Sequence, residues 1–355
     1  GPAYLMALIN NTPSSLHAQA YAHIVQQSAI RRRMLAAANQ VARLAYEEGL
    51  SLEAVIDESE KAIMTAGDRA LAHDPKPFSR VLGDLFNRVE LRARQSEVVG
   101  VPTGFADLDH LLQGLQPSDL VIVAGRPGTG KTSLLLSVIK HAAQIHKKHV
   151  AVFTLEMSGE QLAQRLVAQE IGVDTQRLRA GKLAADEWSL FAQSIDVFGE
   201  VQLFLDDTPA ITPAQLRSKC RRLHLEHGLD LVAVDYLQLM SGGGRFENRV
   251  QEVSYISRQL KILARELNVP VLAAAQLSRA VEQRADKHPI LSDLRESGSI
   301  EMDADVVMFL YRPEAEDISS NVEVIVAKHR NGPTGTVNLA FRPSLAKFEN
   351  ATRER

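Results

Sequence analysis

The segment that most restricts how this chain can fold is Gly125-Arg126-Pro127-Gly128-Thr129-Gly130-Lys131-Thr132, which satisfies G-x-x-x-x-G-K-[ST] in full. It stands between an apolar run, Leu120 to Ala124, and a helical stretch, Thr132 to His146. Glycines let backbone N–H groups close around phosphates, and the following helix turns its positive end toward them. Lys131 then reaches the β- and γ-phosphates, and Thr132 offers a hydroxyl to magnesium. Such a loop needs a strand before it and a helix after it, and the rest of the chain agrees. Further β-rich runs at Val150 to Leu155, Val201 to Leu205, Leu229 to Val234 and Val269 to Ala274 alternate with helical stretches at Glu160 to Ile171, Pro213 to His227 and Glu247 to Leu267. That alternation predicts an α/β domain with a mostly parallel sheet covered on both faces. Asp305 to Tyr311, Val322 to Lys328 and Gly335 to Phe341 extend the same sheet.

Polar residues close three of these runs. Asp235 follows Leu231-Val232-Ala233-Val234; beside a phosphate loop it reads as the aspartate that orients magnesium, and alone it could equally cap a helix. Glu156 closes Val152 to Leu155, and Gln276 closes Val271 to Ala275. Open α/β sheets bind ligands at the carboxyl ends of their strands, so the loop, Glu156, Asp235 and Gln276 are expected along one edge. Glu156 is placed to act as general base on the attacking water, with an acid near a helix start, before Ser158, as the alternative. Gln276 is placed to sense the γ-phosphate.

In Val322 to Arg330, period-two alternation puts Val322, Val324, Val326, Lys328 and Arg330 on one side. Two cations thus leave a strand end together before the turn Asn331-Gly332-Pro333. They either keep a sheet edge from aggregating or are aimed at another subunit's γ-phosphate, where an arginine can accelerate hydrolysis ~10³ to 10⁵-fold. Between Gln276 and that strand, Leu277 to Ile300 carries Arg279, Arg284, Lys287 and Arg295 with several serines and no aromatic residue. This suits a phosphodiester backbone without base stacking. Glu282, Asp286, Asp293 and Glu296 keep a solvated surface loop as the alternative.

The amino-terminal part has a different texture. Ser14 to Gly49 reads as one long helix and Ser51 to about Gly67 as a second, together a hairpin. Asp74-Pro75-Lys76-Pro77 interrupts. Ser79 to Arg94 is helical again, with Val81, Leu82, Leu85, Phe86 and Val89 on one side. The expected division is a helical hairpin over residues 1–70, a linker with its helix over 71–100, and an ATPase domain over 101–355. A composition 45% hydrophobic and 23% charged excludes global disorder. No apolar run approaches the ~18 residues of a membrane span. The single cysteine, Cys220, excludes an intramolecular disulfide framework and a cysteine-only zinc site, and fits a reducing compartment. With a net charge of -3, contact with nucleic acid must come from local patches.

Taken together, Gly125 to Thr132, Thr154-Leu155-Glu156-Met157-Ser158, Val234-Asp235-Tyr236-Leu237-Gln238-Leu239, Asp293 to Ile300 and Lys328-His329-Arg330-Asn331-Gly332-Pro333 resemble the bacterial replicative helicases of the DnaB type. The resemblance extends over Asn10 to Ser14 and the hairpin, hence nearly the whole chain. It implies a RecA-like P-loop motor that uses ATP and magnesium, forms a homo-hexamer around single-stranded DNA, and opens forked DNA while moving 5′ to 3′. It implies that Lys328 and Arg330 act in trans, that Arg279, Arg295, Glu296 and Gly298 contact DNA, and that Ser79 to Arg94 docks on the adjacent subunit. Primase and a helicase loader are the implied partners, and the cytoplasm at the replication fork is the implied location. The family carries a globular helical head before this hairpin, so the chain is expected to begin inside the amino-terminal domain. A RecA-type recombinase shares the sheet and phosphate loop but not the hairpin or the Lys328 to Pro333 signature. A scaffold that uses ATP only to assemble would not need Glu156, Asp235 and Arg330.

Overall fold

Helix-forming residues without an internal Pro or Gly run from Ala18 to Ala45, and they make one 28-residue helix, α1. The chain turns through Tyr46 to Leu50 into α2, Leu52–Asp68, with Ala37 and Ala66 buried. A third helix, α3, covers Phe78–Arg94; Phe78, Leu82, Leu85, Phe86 and Val89 on it are exposed. The computed structural model describes residues 2–4, 6, 18–50, 52–68, 77–94, 100–244, 246–284, 286–312 and 320–351. The predicted helix entry at Ser14 and the break at Asp74 to Lys76 lie outside these. The chain divides into two units, Gly1–Ala93 and Arg94–Arg355.

In the second unit, α4 (Ala106–Leu112) precedes β1 (Leu120–Gly125). The helix after the phosphate loop, α5, covers Lys131–Lys140 and continues as a π-helical turn over His141–Ile145. Then follow β2 (Val150–Thr154), α6 (Gly159–Ile171), α7 (Thr175–Arg179), α8 (Ala185–Gly199) and β3 (Leu203–Asp206). The chain continues through α9 (Pro213–Glu226), β4 (Leu231–Asp235), α10 (Arg249–Leu267) and β5 (Val271–Gln276). It ends with α11 (Gly298–Asp303), β6 (Val306–Tyr311), β7 (Ser320–His329), β8 (Gly335–Arg342) and β9 (Lys347–Asn350). Start signals lie where the physics asks for them: Ser158 with Gln161 and Thr212 with Gln215 form reciprocal capping boxes, and Asn248 caps α10.

Among the described residues, nine strands form one sheet in the order β3-β2-β4-β5-β1-β6-β7-β8-β9. Strands β3 to β6 pair in parallel and β6 to β9 antiparallel. Alternate residues of β1 enter two separate cores. Val121 and Val123 pack with Leu108, Leu134 and Ile139 on one face. Leu120, Ile122 and Ala124 pack with Leu216, Ile256 and Leu260 on the other. This is the mostly parallel, doubly covered sheet that the uninterrupted apolar runs require.

One register differs from simple alternation. Met308 pairs with Val326 but Val307 pairs with Lys328, so β7 carries an extra residue, Ala327, at this point. The valines Val322, Val324 and Val326 enter the first core, whereas Lys328 stands opposite Val307, a residue of the second. The predicted common side for Val322, Val324, Val326, Lys328 and Arg330 is therefore corrected. The bulge turns the two cations to the opposite face from the valines, because an inserted residue resets the period-two pattern.

Candidate nucleotide site and its flanking loops

Parallel pairing assembles the site. Gly125 at the end of β1 lies beside Gln276 at the end of β5, and Thr154 at the end of β2 lies beside Asp235 at the end of β4. The turns after these strands therefore open at one end of the sheet. They surround a cavity of about 430 Å³ lined by Gly128, Gly130, Lys131, Thr132, Glu156, Asp235 and Gln276. Gly130 adopts φ 96°, and a Cβ there would stand 3.0 Å from the Phe348 ring, so this position takes glycine on two grounds.

Lys131 Nζ donates to the carbonyls of Gly125 (2.9 Å) and Arg126 (3.1 Å). Burial pushes its ammonium down to about 8, against the opposing pull of Asp235 and Glu156. Thr132 Oγ1 donates to Asp235 Oδ2 at 2.7 Å. Burial raises the Asp235 carboxyl, while the Thr132 hydrogen bond works in the other direction. A hydroxyl and a buried carboxylate in contact at the foot of a phosphate loop are the hard oxygen donors that magnesium takes, so these residues fit that ion.

Glu156 lies on the turn after β2. Thr154 Oγ1 holds that turn, donating to Met157 O (2.9 Å) and accepting from Met157 N–H (3.3 Å). The adjacent Leu155 N–H donates to Asp235 O at 2.8 Å. The cap of α6 is Ser158 with Gln161, and Glu156 lines the cavity. Arg126 is turned elsewhere. It donates to Glu282 Oε1 (2.8 Å) and to Leu277 O (3.0 Å), tying the phosphate loop to the segment after β5.

Other cavity residues carry no mark in the sequence. Arg165 on α6 and Arg312 after β6 line it, as do Phe341, Pro343 and Ala346, which form an apolar wall. In the sequence Gln238 stands out only as part of the Val234 to Leu239 motif. Its side-chain amide accepts from Gln276 N–H (3.2 Å) and donates to Gln276 O (3.3 Å), clasping the ends of β4 and β5. Arg249, at the start of α10, in turn donates to the carbonyls of Gln238 and Met240.

Lys328 and Arg330 sit at the other end of the sheet. Val307, opposite Lys328, belongs to the half of β6 beside Val121 and Ile122 of β1. The loop begins at Gly125, which pairs with Leu310. Lys328 is thus level with Ile122, three steps or roughly 10 Å from Gly125, and Arg330, bonded to Asp305 beside Leu120, is five steps or roughly 17 Å from it. The two cations are neighbours on one face: Lys328 bonds to carbonyls of Glu301 and Ala304, and Arg330 to Met302 and Asp305. Because β7 lies between β6 and β8, the edge-protecting alternative does not apply to it.

The Arg-rich segment is more structured than a solvated loop. Arg279 opens a 3₁₀ turn, Arg279–Gln283. Arg295 and Glu296 lie in a second, Leu291–Ser297, and Gly298 starts α11. The side chains of Arg279, Arg295 and Glu296 lie outside the described part of the structure. Arg284 is engaged internally, donating to Asp293 Oδ2 (2.8 Å) and His288 O (2.7 Å). Among the described residues no helix is long and apolar enough to cross a membrane.

Comparison with known proteins agrees with this geometry. The family model for the DnaB-like helicase C terminal domain matches residues 100–350. The replicative DNA helicase DnaB of Geobacillus stearothermophilus is 43% identical over 359 residues, 99% of this chain and 79% of that protein. DnaB of Haemophilus influenzae is 41% identical, over all of this chain and 79% of its own length. A solved DnaB-like replicative helicase, described with its interactions with primase, superposes with a TM-score of 0.78 at 31% identity, covering 99% of this chain and 83% of that one. A solved ATPase domain, covered in full, matches 79% of this chain with a TM-score of 0.73 at 35% identity. A parallel sheet with the phosphate loop after β1, and identity of this order along nearly the whole chain, lead to one conclusion: the chain belongs to the DnaB-like replicative DNA helicases, on a RecA-like α/β fold.

Proposed function

We propose that the chain is the motor subunit of a replicative DNA helicase, a homo-hexameric ring that hydrolyses ATP to move 5′ to 3′ on single-stranded DNA and open the fork in the cytosol. The observation that carries this is the split placement of the machinery. The phosphate loop, Glu156, Asp235 and Gln276 share one end of the sheet, while along the strands Lys328 stands level with Ile122, roughly 10 Å from Gly125, and Arg330 level with Leu120, roughly 17 Å from it, with both side chains turned to carbonyls at the far end. A cation pair that cannot serve its own site suits a neighbour's.

In this reading the backbone of Gly125 to Thr132 cradles the triphosphate and Lys131 neutralises its β- and γ-oxygens. Phe341, Pro343 and Ala346 face the nucleoside. Glu156 takes the proton of the attacking water. Thr132 and Asp235 would hold magnesium, which supplies charge neutralisation of the phosphates when bound. Gln276 meets the γ-phosphate, and Gln238 and Arg126 tie its position to α10 and to the Leu277 segment. The backbones that carry Arg279, Arg295, Glu296 and Gly298 follow β5 in the chain and, in this reading, face DNA. From the adjacent subunit, Lys328 and Arg330 complete the site. The exposed apolar stripe of α3 is the surface that docks the linker on its neighbour, and primase and a loader are the protein partners. We expect the hairpin 1–70, linker 71–100 and motor 101–355 to act as separate functional parts.

The test is strand separation of a forked duplex with a free 5′ tail. Separation that needs ATP, magnesium and the 5′ tail is the expected result. Hydrolysis without separation would leave an ATPase that is not a helicase, and preference for a 3′ tail would reverse the polarity.

A further inference from the structure

Lys328 and Arg330 bring two positive charges onto one face, and Arg330 contributes to lowering the Lys328 ammonium, second to burial. Left alone, like charges this close would swing apart. What holds them is a mount built from α11 and the residue that follows it. Lys328 Nζ donates to Glu301 O (2.5 Å) and Ala304 O (2.7 Å). Arg330 Nη2 donates to Met302 O at 3.0 Å. These are carbonyls at a helix end, which need partners from outside the helix.

The charge that balances the pair is Asp305, whose side chain is 4% exposed. Oδ1 faces Arg330 Nη1 at 3.2 Å, and Oδ2 accepts from Leu120 N–H at 2.9 Å and from Lys261 Nζ. Its backbone carbonyl accepts Arg330 N–H at 2.8 Å. A carboxylate so enclosed must be fully paired, so its position is fixed by the β1 backbone and by α10. The mount is fastened to α10 twice more, by Ser299 on Ser254 (2.7 Å) and Ser257 on Asp303 (2.9 Å). With so little surface, Asp305 cannot itself meet a nucleotide.

We propose that Asp305 is the positioning residue of the trans-acting pair: it fixes the Arg330 guanidinium at the height on the subunit surface where the neighbour's γ-phosphate meets it. This rests on the reading that Arg330 acts in trans. Asp305→Asn keeps the shape and the Leu120 bond but removes the charge that holds the guanidinium.

The experiment measures DNA-stimulated ATP turnover of the full chain with magnesium. Asp305→Asn is expected to lower kcat about tenfold with the KM for ATP unchanged, and to add no further loss in an Arg330→Ala background. Millimolar guanidinium, too dilute to unfold the protein, should partly restore Arg330→Ala and fail to restore it once Asp305 is also Asn. A purely structural aspartate would not govern that rescue. Asp305→Asn within about twofold of the parent kcat, beside an inactive Arg330→Ala, overturns the positioning role alone. So does a multiplicative loss in the double variant, or equal rescue in both backgrounds. Full turnover of Arg330→Ala overturns the trans reading and this role with it. Should Asp305→Asn fail to assemble, Ser257→Ala loosens the mount without removing a charge. It should cost about threefold in kcat, and nothing in the Arg330→Ala background; no effect on kcat would count against the mount.

Discussion

At the scale of single residues, the proposed chemistry depends on groups whose ionisation the fold has moved. Lys131 is the clearest, with its ammonium brought down to about 8 by burial. Below that pH it is protonated and attracts the triphosphate; above it the lysine is neutral and the attraction is lost. A bound phosphate favours the charged form and draws the ionisation upward again. The expected profile is therefore a kcat/KM for ATP that falls as pH rises through about 8, with kcat itself much flatter. A kcat/KM that stays level to about pH 9.5 would show that this lysine titrates elsewhere in solution. Glu156, Asp235 and Gln276 were legible in the sequence because each ends an apolar run beside a complete phosphate loop. Arg165, Arg312 and Phe341 were not. An arginine on the polar face of a helix, or an aromatic residue on a late strand, has no local pattern that ties it to a cavity; only the packing of α6 and β8 around the loop brings them there.

Among the elements, α10 joins several parts of the molecule. Its apolar face, Val253, Ile256, Leu260, Leu263 and Leu267, enters the second core. Its polar positions Ser254, Ser257 and Lys261 engage α11 and Asp305. Its first residue grips the loop after β4. Leu260 is 1% exposed. Leu260→Ala should cost about 3 kcal/mol by the loss of buried contacts and the cavity left behind, lowering Tm by roughly 6–10 °C in calorimetry. A shift within about 2 °C would mean that neighbours collapse to fill the space. Strands β1 to β8 and most of the longer helices could be read from pattern alone, most of the strands because they bury a face in one of the two cores. The short α4 and α7 and the edge strand β9 could not, because a few residues carry too little pattern, nor could the 15-residue α8, in which Ser194 alone is buried. The bulge at Ala327 escaped for another reason. Alternation presumes one residue per step, and an inserted residue leaves no composition signal while exchanging the faces of all that follows.

For the whole molecule, the proposed division of the site between copies makes a prediction that no single subunit can make. Glu156→Gln spoils the site a subunit owns, and Arg330→Ala spoils the one it completes. Each variant alone should be inactive, yet when the two are mixed in equal amounts before assembly, about a quarter of the subunit boundaries pair an intact Glu156 with an intact Arg330. Turnover should then recover toward that fraction in a coupled ATPase assay. Mixtures that stay inactive would mean that each chain supplies its own cation. The separation of loop and cations along β1 has one further consequence, in the arithmetic of seams. A closed circle of identical members has as many seams as members; a circle broken to admit a thread has one fewer. The subunit at the break keeps its nucleotide but lacks the partner that would let it react. In the ring proposed for this chain, the gateway through which a strand enters would thus also be the one place where ATP can wait unspent.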